Sequence, residues 1–153
     1  MSTAPAIAAS PYDHPATAQP LAAHHFPDVM RETAVRATVA VGLGAVGVIH
    51  LLDAIGKWSE TRYVFWMYLA LIAGTIVTAG AVLLTRSRLA LAGAAGLAGS
   101  AAAGYALSRT TGLPNATEDI GNWTEPLGLA SLFVEGGIVA LVAAYLTLPA
   151  GRR

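Results

Sequence analysis

The chain contains no cysteine among its 153 residues, which excludes disulfides, thiolate catalysis and thiolate-held metals. Charge is also scarce. Charged residues make up 12%, nine basic and nine acidic with zero formal net charge, where soluble domains average about 25%. No basic cluster occurs, so nucleic acid is not an expected partner. No GxSxG, P-loop or HExxH pattern is present, and no nucleophile stands beside a base in a recognisable motif. An enzyme is therefore not the expected class. A metal-hydroxide hydrolase built on a membrane carboxylate would need more ligands than the chain offers.

What is abundant is apolar surface. Hydrophobic residues reach 55% and mean hydropathy is +0.58, too much for a soluble domain of this size. The apolar residues gather in four runs, 37–56, 63–84, 89–107 and 126–148, which carry just two formal charges, Asp53 and Glu135. A bilayer crossing needs about 20 apolar residues, and each run is near that length. The expected fold is all-α: an up-down-up-down four-helix transmembrane bundle over 33–149. A disordered cytoplasmic tail, rich in Ala, Pro, Ser, Thr and His, is expected at 1–32, and a short cytoplasmic C-terminus at 150–153. The tail lacks the layout of a signal peptide.

Arginine and lysine set the expected orientation. Arg31, Arg36, Arg86, Arg88, Arg152 and Arg153 fall on one side, and Lys57, Arg62 and Arg109 on the other. The richer side should be cytoplasmic, in a bacterial plasma membrane, with both termini inside and loops at 57–62 and 108–125 outside. Trp58, Tyr63, Trp66 and Tyr68 suit an interfacial aromatic belt. Gly42, Gly44 and Gly47 inside the first run read as points of close helix approach, not as a dinucleotide fingerprint. The third run, dense in small residues (Ala92, Gly93, Gly96, Ser100, Gly104), is expected to pack tightly on a neighbour.

The ionisable residues within the runs are the functional candidates, because a charge in a span is costly. His50 and Asp53 share one face of the first helix, three residues apart, and Lys57 extends it. Counting about 1.5 Å per residue, His50 lies roughly 9 Å and Glu135 about 13 Å below the outer end of their helices. Ser131 shares the face of Glu135. The expected site is an outward polar pocket with His50 and Glu135 as its floor and Asp53, Glu60, Glu125 and Tyr105 nearer its mouth. His50, Glu135, Asp53 and Glu60 together make a candidate shell for a divalent metal ion, the one cofactor the residues suggest. His50 and Glu135 serve equally as a proton-accepting pair. A third reading is structural, an interhelical hydrogen bond that fixes register. His14, His24 and His25 in the tail offer loose metal affinity at most. A haem with two axial histidines would need a second span histidine, and His50 stands alone.

The outer loop is long for a bundle connection. Gly112, Pro114 and Gly121 shape it, Arg109 is positioned to pair with Glu118, Asp119 or Glu125, and Trp123 suits an interfacial anchor. With His50-Leu51 followed by Glu60, Ser108-Arg109-Thr110 with Gly112-Leu113-Pro114, Glu125-Pro126-Leu127-Gly128, and Glu135, the chain resembles a group of uncharacterised small four-span membrane proteins from actinobacteria over roughly residues 40–140. The resemblance implies topology and an outward polar cluster, not a reaction. That group often has a second histidine near the outer end of the first helix. The position here is Lys57, which weakens a two-histidine metal site. The leading expectation is a non-enzymatic accessory subunit of a larger membrane complex, in contact with the lipid bilayer and with other subunits or copies of itself. The alternative is a protein that transports or binds protons or metal ions.

Overall fold

The computed structural model describes residues 25–148, with side chains from Asp28 onward. Among these residues there are four helices: α1 (His25–Glu60), α2 (Arg62–Leu84), α3 (Arg88–Thr110) and α4 (Pro126–Thr147). Each is long and apolar enough to cross a membrane. They form an all-α, up-down-up-down bundle in which α1 packs against both α2 and α4, and α3 against α4. The short α1–α2 and α2–α3 links force those helices antiparallel.

Several boundaries differ from the expected ones. α1 begins at His25, so residues 25–32 are its first two turns and not tail. The rest of the expected tail, with His14 and His24, and the stretch 149–153 lie outside the described residues. At 36 residues α1 is roughly 54 Å long. That exceeds the roughly 30 Å thickness of a hydrocarbon layer. The expected 57–62 loop is almost entirely helical. Only Thr61, extended at φ −145° and ψ 92°, separates α1 from α2.

The α2–α3 turn is held from α1. Arg36 is buried, and its Nη1 donates to the carbonyls of Thr85 at 2.9 Å and Val82 at 3.2 Å. Its Nε donates to Glu32 at 2.9 Å. The C-terminal carbonyls of a helix lack intrahelical donors, and a guanidinium satisfies them while matching the negative end of the helix dipole. Ser87 caps α3 by accepting from the Leu89 amide at 3.1 Å.

The main apolar core lies at this end of the bundle. Val35, Val39, Leu43 and Val46 recur at helical spacing on α1 and meet Val82, Leu91, Ala94, Ala98, Ile138 and Val142. A side chain at Gly42 would press on Ile138 and one at Gly47 on the Thr75 hydroxyl. Two of the three first-run glycines are thus points of close approach, whereas Gly44 faces open space. The third run does pack on α4, but not through most of the small residues expected to make the contact. Ala92, Gly93, Gly96 and Ser100 lie on the exposed face of α3, and the inward face is Leu91, Ala94 and Ala98. A small-residue pattern makes close approach possible but does not say which neighbour takes it. The opposite end of the bundle, below the α3–α4 loop, is hollow.

Candidate functional site

The hollow is a cavity of about 600 Å³ to which all four helices and the α3–α4 loop contribute. Its floor is the first turn above the packed core. His50 follows Val46 by one turn on α1, and Glu135 precedes Ile138 on α4, so the residues that fix the core also fix the height of both groups. Counted from the observed helix ends, His50 lies about 15 Å and Glu135 about 13 Å in. His50 is deeper than expected because α1 continues to Glu60.

The structure brings these two together. His50 Nε2 stands 3.9 Å from Glu135 Oε1, an ion-pair distance beyond direct hydrogen-bond range. The imidazole is oriented by its other nitrogen, 2.9 Å from the Val46 carbonyl. A carbonyl can only accept, so Nδ1 carries a hydrogen and Nε2 of the neutral ring is an acceptor. The Tyr68 ring meets the imidazole edge-on at 5.0 Å. Glu135 is 1% exposed. Its Oε1 accepts from Ser131 at 2.7 Å, while Oε2 is buried with no hydrogen-bond partner among the described residues. Buried polar atoms are nearly always paired, so an orphaned carboxylate oxygen beside a cavity marks a place where a donor belongs.

Asp53 and Glu60 are not brought to that floor. Asp53 lines the cavity one turn nearer the loop and accepts from the Tyr68 hydroxyl at 2.8 Å. Tyr68 is therefore an inward-facing residue and not part of the aromatic belt. Trp58, Tyr63 and Trp66 do face outward. Glu60 sits at the exposed end of α1, paired with Lys57 at 2.7 Å, and does not line the cavity. No three His, Asp or Glu side chains among the described residues form a group able to hold a metal ion. The expected four-residue shell is thereby corrected: three and four residues along α1 carry Asp53 and then Lys57–Glu60 progressively away from Glu135 toward water.

Over the mouth lies the α3–α4 loop, a built lid. Leu113 and Ala116 exchange backbone hydrogen bonds at 2.9 Å. Gly112 and Gly121 take positive φ, +74° and +80°, which glycine adopts without Cβ strain. The Gly121 amide donates to the Arg109 carbonyl at 2.9 Å, and the Tyr63 hydroxyl donates to Pro114 at 2.7 Å. Arg109, 6% exposed, ties the lid down: Nη1 lies 2.6 Å from Asp119, Nη2 lies 3.4 Å from Glu125, and the guanidinium stacks over Tyr105. Asp119 also reaches Lys57 at 3.7 Å. Glu125 caps α4, accepting from the amides of Leu127 at 3.1 Å and Gly128 at 2.7 Å. Gly128 is the close approach: a Cβ there would overlap the Tyr105 ring.

The charged residues lining the cavity are four carboxylates, Asp53, Asp119, Glu125 and Glu135, against Lys57 and Arg109. Both cations are engaged at the rim, with Asp119 and Glu125, so neither reaches Glu135 at depth. Sequence reasoning placed Arg109 at the rim but missed Tyr68 and Arg36. The signal for Arg36 was its position four residues after Glu32, the spacing of a helical ion pair.

Four apolar helices of spanning length are compatible with an integral membrane protein. Compared with protein-family models, curated proteins and solved structures, the chain matches none.

Proposed function

We propose that this chain is an integral membrane protein of the bacterial plasma membrane that binds or conducts a cation, the proton included, at Glu135 with His50 beside it. The reading is supported chiefly by one observation: Glu135, a residue lining the cavity, has a buried carboxylate oxygen with no hydrogen-bond partner among the described residues. A carboxylate kept for packing alone would have its second oxygen satisfied within the bundle. The arginine and lysine bias favours both termini in the cytoplasm and the lid outside. Kinship with the small four-span actinobacterial proteins belongs to the same proposal. The test is flux in liposomes containing the purified chain, driven by a potential and read by an internal pH dye. The wild type should pass protons in a pH-dependent manner, and Glu135→Gln should abolish this while the protein stays folded. Unchanged flux in Glu135→Gln, with only thermal stability lowered, would leave the His50–Glu135 pair a structural contact.

The accessory-subunit reading is favoured by a different observation, the open small-residue face of α3 at Ala92, Gly96 and Ser100. A transmembrane helix of another subunit would fill it. Purification in mild detergent should then recover a stoichiometric partner chain, lost in Gly96→Leu.

A further inference from the structure

The chemistry of the cavity narrows the cation, and this step rests on the cation-binding reading above. The volume, about 600 Å³, is that of pockets for small organic molecules, about 300–1,000 Å³; a bare ion would leave it mostly unfilled. No three-ligand group for a metal exists among the described residues. Between floor and rim the walls are apolar: Met67, Ala70 and Leu71 of α2, Leu97 and Ala101 of α3. Met67 and Ala70 of α2 and Ser100 of α3 line the cavity and are exposed, so the cavity is open to its surroundings along these helices. At the floor three acceptors converge without enough donors. They are Nε2 of His50, which accepts when the ring is neutral, Oε1 of Glu135 3.9 Å away, and the orphaned Oε2, with the Ser131 hydroxyl the one donor in contact.

An ammonium group supplies several N–H donors and a positive charge to such a floor, and an apolar body suits the walls. We infer that the ligand is a lipophilic organic amine in its ammonium form, head group at Glu135 and His50, apolar body against α2 and α3.

The full chain in lipid nanodiscs, with empty nanodiscs as the blank, tests this by equilibrium dialysis at neutral pH. Three probes separate the terms: tryptamine, a protonated amine; tryptophol, the same ring and chain ending in a hydroxyl; and methylammonium, a head group without a body. Tryptamine should bind at least tenfold more tightly than either of the others. Glu135→Gln should erase the preference of tryptamine over tryptophol, and Glu135→Asp, which keeps the charge, should retain it. Gly104→Leu places a side chain where a Cβ meets nothing within 4 Å on the cavity wall. It should weaken tryptamine at least tenfold. Equal binding of tryptamine and tryptophol to the wild type, or a preference that survives Glu135→Gln, overturns the inference. If that happens while Glu135-dependent flux persists, the amine is wrong and the cation reading stands. If the flux is also independent of Glu135, both fall.

Discussion

Removing the Arg109 guanidinium should loosen the lid without unfolding the bundle. In Arg109→Gln the ion pairs to Asp119 at 2.6 Å and Glu125 at 3.4 Å are lost, together with the stacking on Tyr105. Taking one partner from a fully buried pair costs about 3–5 kcal/mol, whereas an exposed pair contributes about 0–1 kcal/mol. Here the arginine side chain is 7% exposed and its partners 35% and 31%, an intermediate case for which about 2 kcal/mol is expected. The Gly121 amide bonds to the backbone of Arg109 itself, and the Leu113–Ala116 pair sits on the same loop, so the loss should appear there as local opening. Two kcal/mol corresponds to about 30-fold. Hydrogen exchange should show the amides of Leu113, Ala116 and Gly121 exchanging about 30-fold faster, with Leu43 and Val46 in the core unchanged. Arg109→Lys, which keeps the charge but loses the fork, should fall between. Unchanged loop protection, or core amides that accelerate equally, would refute the assignment of Arg109 as the lid's anchor.

Three other outcomes are expected. Arg36→Met strips the α2 carbonyls of their donor and Glu32 of its partner, and should lower unfolding free energy by about 2–3 kcal/mol, as for the loss of charge-assisted hydrogen bonds, measured by denaturant titration in mixed micelles. Gly128→Val forces its side chain into the Tyr105 ring and should cost about 1–3 kcal/mol as overpacking, a loss that Tyr105→Ala in the same chain should partly restore. Because the chain has no cysteine, single cysteines can report topology directly: Glu118→Cys in the lid should react with a membrane-impermeant maleimide on intact cells, and Arg86→Cys at the α2–α3 turn should react only after lysis. The reverse pattern would invert the bundle.

Much of the architecture was legible because lipid imposes a strong rule. A chain that must bury every backbone amide within a span leaves long apolar runs, and those runs are countable. All four helices fall where the runs lie. The ends were less legible. Residues 25–32 read as tail because they precede the first long apolar run and half of them are polar, yet α1 extends through them; composition marks where apolar burial begins, not where backbone hydrogen bonding does. The 57–62 stretch read as a loop for the same reason, and Thr61 alone breaks the helix.

For the site, the sequence made Glu135 and His50 conspicuous as ionisable groups in apolar surroundings, and helix rise placed them near one level. It could not show that Asp53 is taken by Tyr68, that Glu60 turns to Lys57, or that α3 leaves Gly93 and Gly96 exposed. Those depend on how each helix is rotated about its axis, which is decided by side chains meeting across the bundle. One turn of α1 separates a carboxylate at the floor's edge from a lysine at the rim.

What the sequence alone determined is the count: four apolar helices of spanning length, their order, and two ionisable groups at depth, because hydropathy and helix rise are local properties. Only the tertiary structure decided that the bundle is close-packed at one end and hollow at the other. It also left one oxygen of Glu135 without a donor. Cavities and orphaned atoms are sums over all four helices at once, and no single stretch of chain carries them.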